Sequence, residues 1–582
     1  MNKHLVKRLL QYAKPYSGYL AGALLFALVH VAMILLGPVL MGKAIDGIIA
    51  EGQVDFAAVA RMLLVLLLTI AAGAFFQWLM ALCTNKAAQL TVCNLRKDVF
   101  LKLLSVPIRY IDSHAHGDML NRIVNDIDLV SDGLLQGFTQ LFTGVVMILG
   151  TLGIMLSINI VIALVVVALT PISLLIAAFI AKRTHNTFFE QTKIQGELSG
   201  YLAEMLGGQK IVKTFGHEAQ SINAFESLNR KLYPWGLKAQ IYPAFTNPLT
   251  RFVNGLVYAA VGVAGALSAI SGGVSVGQLS SFLSYANQYT KPFNDVTAIL
   301  AQLQTAYSSA RRVFETLDAQ EEPEEQENGN PVRVKGQVDI TDVSFRYEKD
   351  RPLIERFSLK VRPGQRIAIV GPTGCGKTTL INLLMRFYDI DSGLIAVDGI
   401  NIQSIPRKNL RVQFGMVLQE TWLTQATIRE NIAYGRPEAT LEEVMTAAKA
   451  AHAHGFISRL ENGYDTIISE NGDNLSQGQK QLLCIARVML RDPPMLILDE
   501  ATSSIDTRTE IKVQRAFARM MEGRTSFIVA HRLSTIQEAD MILVMDKGRI
   551  IEQGTHRALL EKQGFYANLY NSQFASVKEI VQ

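Results

Sequence analysis

Three side chains in this sequence are set up for chemistry on a phosphate: a lysine closing a glycine-rich turn, Lys377, and two carboxylates at the end of an apolar run, Asp499 and Glu500. Gly371-Pro372-Thr373-Gly374-Cys375-Gly376-Lys377-Thr378 fits the phosphate-loop pattern G-x-x-x-x-G-K-[ST], with Thr379 following. Glycines let backbone N–H groups converge on a polyphosphate without Cβ clashes, and the next helix adds the positive end of its dipole. Lys377 can then reach the β- and γ-phosphates, and the Thr378 hydroxyl can ligate Mg²⁺. Phosphoryl transfer also needs a group holding the cation near those oxygens and another orienting the attacking water. Asp499 suits the first role and Glu500 the second. Two acids at a strand end would be weak evidence alone; beside a phosphate loop they are strong.

The elements that must carry these groups follow from the surrounding pattern. Ile367–Val370 reads as a buried strand feeding the loop, and Leu380, Ile381, Leu383 and Leu384 as the helix after it. Pro494–Asp499 and Thr525–Ala530 read as two further buried strands. The second leads directly into His531, at the carboxyl end of a strand, where a side chain can point at a γ-phosphate. Val338, Ile340, Val343 and Phe345 alternate as a strand ending near Tyr347, an aromatic that could stack on adenine. Ser476-Gln477-Gly478-Gln479 opens an amphipathic helix whose N-terminus, with the Ser476 hydroxyl and the Gly478 backbone, would bind a second anion. One ATP has little use for two such termini in one fold, unless the second serves a nucleotide held by another subunit.

At 582 residues the chain needs more than one core. The halves differ: long apolar runs recur before about residue 300, and an ordinary α/β pattern follows residue 335. A net charge of +5 with no basic stripe gives no case for nucleic acid. Cys83, Cys93, Cys375 and Cys484 lack metal spacing, and a cytosolic placement disfavours disulfides. Lys3, Lys7, Arg8 and Lys14 precede the first apolar run, which has no small-residue cleavage site after it and reads as a retained helix.

Six runs approach the ~20 residues that cross a bilayer: Tyr19–Met41, Met62–Cys83, Gly137–Ser157, Ile160–Ala181, Thr246–Ile270 and Val276–Leu300. Short uncharged connections join runs three to four and five to six. The long two-to-three and four-to-five connections carry the lysines and arginines, so these and both termini are expected in the cytosol. Helical periodicity inside the long loops (Leu90, Val92, Leu95, Val99, Leu103) predicts stalks reaching ~40 Å beyond the bilayer. Arg251, Lys291 and Asp295 either face an aqueous interior or lie beyond the membrane, and Pro292 predicts a kink. An acidic proline-containing stretch over 321–331 reads as a linker. The fold class is thus an all-α polytopic membrane domain (six long helices with cytosolic extensions, 1–312), a linker (313–335) and an α/β P-loop ATPase domain (336–582).

Together these residues resemble the ATP-binding cassette (ABC) exporters, in which six membrane helices are fused to a nucleotide-binding domain. The resemblance covers nearly the whole chain. It implies Tyr347 as the adenine-stacking aromatic, Gly371–Thr379 as Walker A, and Gln419 as the Q-loop residue sharing Mg²⁺ with Thr378 and Asp499. It implies Leu475–Gln479 as the signature acting in trans, Glu500 as catalytic base, Ser504–Asp506 as the D-loop and His531 as the switch histidine. Segments 110–118 and 214–219 look like the two coupling segments, and 470–472 sits where exporters carry the X-loop. The cofactors implied are ATP and Mg²⁺.

One departure stands out: the family signature reads Leu-Ser-Gly-Gly-Gln, and Gln477 replaces its first glycine. A side chain there crowds the trans phosphate site and removes glycine's freedom. This resembles one subunit of heterodimeric exporters with unequal ATP sites, with a homodimer as the alternative. The resemblance implies a multi-pass protein of a bacterial plasma membrane that exports a hydrophobic or amphipathic drug, lipid or peptide. A nucleotide-gated channel or regulator on the same fold is the alternative, which the intact Glu500 and His531 disfavour.

Overall fold

The computed structural model describes residues 3–48, 55–323, 334–348, 350–418, 421–469, 472, 474–499, 506–529 and 536–578. The chain divides into two compact units, Met1–Val106 with His114–Glu321, and Pro107–Ser113 with Glu322–Gln582.

The first unit is helical. After α1 (Lys3–Ala13) come α2 (Ser17–Asp46) and α3 (Phe56–Ser105). The short α4 (Ile108–Asp112) belongs to the second unit. α5 (His116–Asn121), a π-helical turn (Arg122–Asp126), α6 (Ile127–Ile158) and α7 (Ile160–Gly207) follow. α8 (Gln209–Thr214), α9 (Glu218–Ala244), α10 (Thr246–Ile270) and α11 (Val276–Leu317) complete the unit. Each of the six apolar runs lies inside one of α2, α3, α6, α7, α10 and α11. By length and composition, three stretches of the described residues suffice to cross a membrane: His4–Asp46, Phe56–Ser105 and Glu218–Ile270. Phe142–Ile158 and Ile160–Ile172 form shorter apolar helices.

Local chemistry sets the turns. The Asn159 side chain caps α7 by accepting the Ile162 N–H at 3.2 Å, so one residue suffices between α6 and α7. Gly272 takes φ +76° in the α10–α11 turn, and Ser275 with Gln278 forms a capping box that starts α11. α11 stays continuous through Pro292. Glycines bring α2 and α11 together: a Cβ on Gly277 would meet the Gly42 carbonyl oxygen at 2.0 Å. At this crossing Asp46 accepts the Gly277 N–H and the Ser275 hydroxyl, each at 2.7 Å. Arg251 and Lys291 are exposed, and the Asp295 side chain lies outside the described residues.

Beyond Cys83, α3 continues to Ser105 as a stalk helix. There Val92, Leu95 and Val99 pack with Ile127, Val130, Val313 and Phe314. Asp126, 1% exposed, accepts from Arg312 at 2.8 and 2.5 Å and from Ser309 at 3.0 Å. Burial opposes the charge on Asp126, but these donors outweigh it and hold the carboxyl below the usual carboxylate range.

The second unit contains two sheets. One is antiparallel, ordered β2 (Ile354–Val361), β1 (Val338–Phe345), β4 (Ser392–Val397), β5 (Ile400–Asn401). The other runs β10 (Arg549–Gly554), β9 (Met541–Asp546), β3 (Arg366–Val370), β8 (Thr525–Val529), β7 (Met495–Asp499), β6 (Phe414–Val417). All but β10 are parallel to their neighbours. The fully buried run of β8 and the near-continuous burial of β3, β7 and β9 are what a sheet covered on both faces requires. Helices α12 (Lys377–Leu384) and α13 (Arg407–Val412) flank the loop that follows β3 and the start of β6. α14 (Ile428–Ala433), α15 (Leu441–Ala450), α16 (His454–Ile457), α17 (Gln477–Arg491) and α18 (Thr507–Met521) contribute to a second core on the other side.

Candidate nucleotide site

The register of the parallel strands brings the chemistry to one edge. Ile369 of β3 pairs with Val529 of β8, which pairs with Asp499 of β7. Asp499 therefore stands level with the start of the glycine-rich loop, two strand spacings or about 10 Å away. This is the carboxyl edge of a parallel sheet, where α/β folds bind ligands. Gln419, Glu500 and His531 lie outside the described residues, as do Glu470, Asn471, Ser504 and Ile505.

The loop needs its glycines. Gly371, Gly374 and Gly376 take φ +154°, +82° and +103°, and a Cβ on Gly371 would meet the Met545 carbonyl oxygen at 2.2 Å. Gly376, in the left-handed region, starts α12, and no side chain caps that helix. Lys377 Nζ donates to the carbonyls of Gly371 at 2.8 Å and Pro372 at 3.1 Å, curling over the hollow of the loop. Pro372, Thr373 and Thr378 are exposed, whereas Cys375 and Thr379 are buried beneath. Burial pushes the Cys375 thiol up despite Lys377 nearby, so it packs as a small apolar group.

Tyr347 stands beside this loop. Its hydroxyl lies 3.3 Å from both Thr379 Oγ1 and Asn382 Nδ2, and Phe345 and Tyr388 meet its ring edge-on at 4.9 Å. Asn382 and Tyr388 were not legible as site residues; only the i+3 spacing of Asn382 from Thr379 on α12 could have suggested it. α4, from the first predicted coupling segment, also reaches this cluster. Arg109 donates to the Tyr347 carbonyl at 2.9 Å, and the Tyr388 hydroxyl donates to Asp112 at 2.5 Å. Burial and that carboxylate both push the Tyr388 phenol well above its ordinary range. Ile108 packs on the same core. Of the second predicted coupling segment, α8 ends at Thr214, and Phe215 is 72% exposed.

The second anion-binding terminus is closed on itself. Ser476 Oγ accepts the Gln479 N–H at 3.3 Å, and Gln479 Oε1 accepts the Ser476 N–H at 2.8 Å. Gly478 is buried. Gln477 is exposed, and its Nε2 donates to Thr421 Oγ1 at 3.3 Å within the same chain. Asp506 caps α18 by accepting the Thr509 N–H at 2.9 Å, the bond that holds its carboxyl below the ordinary range.

These residues fit a nucleoside triphosphate. The uncapped N-terminus of α12, the positive-φ glycines Gly371, Gly374 and Gly376 and the Lys377 ammonium lie together on the loop after β3, with Asp499 at a level register position across the sheet. Comparison with known proteins agrees. The family model for the ABC transporter transmembrane region matches residues 20–293, and that for the ABC transporter matches residues 354–503. A fatty acid ABC transporter ATP-binding/permease protein of Mycobacterium bovis is 44% identical over 519 residues, covering 89% of this chain and 82% of that protein. An ATP-dependent lipid A-core flippase of Hahella chejuensis is 37% identical over 495 residues, 84% of each. A solved bacterial Atm1-family ABC exporter with ATP bound superposes with a TM-score of 0.76 at 28% identity, covering 96% of this chain and 98% of that one.

The chain belongs to the ABC transporter family. It is an exporter half: a membrane domain fused to an ATPase whose turnover is coupled to transport.

Proposed function

We propose that this chain is one subunit of a heterodimeric lipid exporter whose two ATP sites are unequal. The observation that carries the inequality is Gln477, a side chain on the first turn of α17 where the family signature has glycine. Its amide hydrogen-bonds Thr421, so the substitution is anchored within its own subunit. In the assembled dimer Ser476, Gly478 and Gln479 face a nucleotide held by the partner's phosphate loop. The signature of the partner faces the nucleotide held here.

At this chain's own site, Gly371–Gly376 supply backbone donors, Lys377 swings from the Gly371 carbonyl onto the phosphates, and Tyr347 offers its ring to adenine. Thr378, Asp499 and Gln419 would hold Mg²⁺, which neutralises charge developing on the β- and γ-oxygens. Glu500 orients and deprotonates the attacking water, His531 contacts the γ-phosphate, and Asp506 lies at the D-loop end that meets the partner. Domain limits of 1–312, 313–335 and 336–582 go with this reading.

A lipid-like amphipathic cargo is favoured by the relatives named for fatty acid and for lipid A-core. Drugs or peptides are less well supported. Both termini and the ATPase domain face the cytosol of a bacterial plasma membrane, as the lysine- and arginine-rich long connections favour. The test is to purify the chain expressed alone in nanodiscs and measure mass and ATPase. Heterodimer assembly predicts low turnover, restored on adding the partner; an active homodimer with two equivalent sites overturns it. Stimulation of ATPase by fatty acids or lipids, and not by peptides, checks the cargo class.

A further inference from the structure

We propose that a cleft between β2 and β10 of the ATPase unit binds a phosphomonoester, with Arg356, Ser344 and Ser358 holding the phosphate. The proposal goes beyond the transport reading and does not depend on the asymmetry of the ATP sites.

β2 and β10 are end strands of the two sheets. They touch where the Glu355 N–H donates to the Gly548 carbonyl at 3.5 Å and Arg549 Nε donates to the Glu355 carboxylate at 3.1 Å. Beside this contact lies a cleft of about 930 Å³, within the size range of small-molecule sites. Its lining shares no residue with the phosphate loop and includes neither Tyr347 nor Asp499.

A β-bulge aims the central cation. Val343 pairs with Phe357 and Phe345 with Ile354, so Glu355 and Arg356 together stand opposite Ser344. Arg356 takes φ +48°, a left-handed conformation that penalises any residue with a Cβ. Phe357, 2% exposed, turns into the core, which puts Arg356 and Ser358 on the open face of the strand.

Three carboxylates also line the cleft, and each has a donor of its own. Asp391 accepts from Arg346 Nε at 3.0 Å and Glu355 from Arg549, while Glu552 accepts the Phe565 and Tyr566 N–H groups at 2.7 and 3.0 Å. The Arg356 guanidinium is left over, with no ion pair or hydrogen bond among the described residues. Ser344 Oγ accepts the Arg356 N–H at 3.2 Å, and Ser358 Oγ accepts the Asp342 N–H at 2.9 Å. Neither hydroxyl donates to another group among the described residues, so both protons can turn to a ligand. A guanidinium fork between two hydroxyls suits the three oxygens and double charge of a phosphomonoester. Pro352 and Ile551, the latter 43% exposed, offer apolar surface to its organic part.

The probe is phenyl phosphate, followed by saturation-transfer NMR on the full-length protein in nanodiscs with the phosphate loop filled by a non-hydrolysable ATP analogue. Wild type should bind it, and benzoate and inorganic phosphate should each bind roughly ten-fold more weakly. Arg356→Gln should weaken phenyl phosphate binding at least roughly ten-fold, as loss of a charge-assisted hydrogen bond does, and Ser344→Ala or Ser358→Ala a few-fold. Arg356→Gly removes the same charge but relieves the left-handed backbone, so it should abolish binding while raising the unfolding midpoint of the ATPase unit by about 1–3 °C. Loss of binding in that variant cannot then be put down to misfolding. No binding by wild type, unchanged binding by Arg356→Gln, or benzoate or inorganic phosphate binding as tightly as phenyl phosphate would each overturn the site. A lowered midpoint for Arg356→Gly would show that the arginine is held for stability and would overturn it as well.

Discussion

Two helix N-termini in the ATPase unit, those of α12 and α17, look alike in sequence as anion sites but are built in opposite ways. At α12 the residue before the helix is Gly376 in the left-handed region, and no side chain caps the first turn. The terminal N–H groups can turn to a phosphate held by the same chain, while Lys377 occupies the hollow by bonding carbonyls. At α17 the cap is Ser476, locked reciprocally to Gln479, so the terminus satisfies its own donors. A helix end left open costs stability unless a ligand or water completes it. A capped end carries no such cost. Under the proposed function, this difference would separate a site for this chain's own nucleotide from a surface facing the partner's.

Four substitutions sharpen or break this contrast. Glu500→Gln should leave ATP binding within about two-fold but lower turnover by ~10²–10⁴, the usual worth of a general base. Near-normal steady-state ATPase with the native partner would remove the resident site's catalytic assignment. Lys377→Ala should weaken ATP binding itself by roughly 10–100-fold, as loss of a charge-assisted hydrogen bond does, read by equilibrium binding of a fluorescent ATP analogue. Ser476→Ala deletes the α17 cap and should cost about 1 kcal/mol of stability in thermal unfolding. It should spare ATP binding by this chain and impair binding at the partner's loop. If it instead lowers affinity at this chain's own loop, the two termini are not separate sites. Gln477→Gly should have the smallest effect, releasing Thr421 and changing occupancy at the partner's loop by a few-fold, with turnover little altered. A large rise in turnover would mean that Gln477 restrains hydrolysis and not binding alone.

A fifth measurement carries the contrast into the membrane unit. Asp126→Ala leaves Arg312 without its carboxylate where α6 meets α11. A broken buried pair costs on the order of 3–5 kcal/mol, discounted here because the Arg312 side chain is 41% exposed. The expected outcome is a lower unfolding temperature of the membrane unit with ATP affinity of the other unit unchanged.

Much of this protein follows from local pattern alone. Uninterrupted apolar runs of about twenty residues can satisfy their backbone only as helices in lipid. The six runs and their turns, such as Asn159 between α6 and α7, were therefore legible. So was the phosphate loop, because glycine spacing after a buried strand encodes backbone geometry directly. Contacts between residues distant in sequence were not. Nothing local pairs Asp126 with Arg312, 186 positions away, or predicts the π-helical turn that carries Asp126. Nothing local assigns Ile108–Asp112 to the ATPase unit through Tyr347 and Tyr388, or gives Gln477 its partner Thr421. Periodicity and spacing report which face of an element is apolar and where a chain must turn. Which polar side chains meet depends on how the elements pack, and only the tertiary structure decides that.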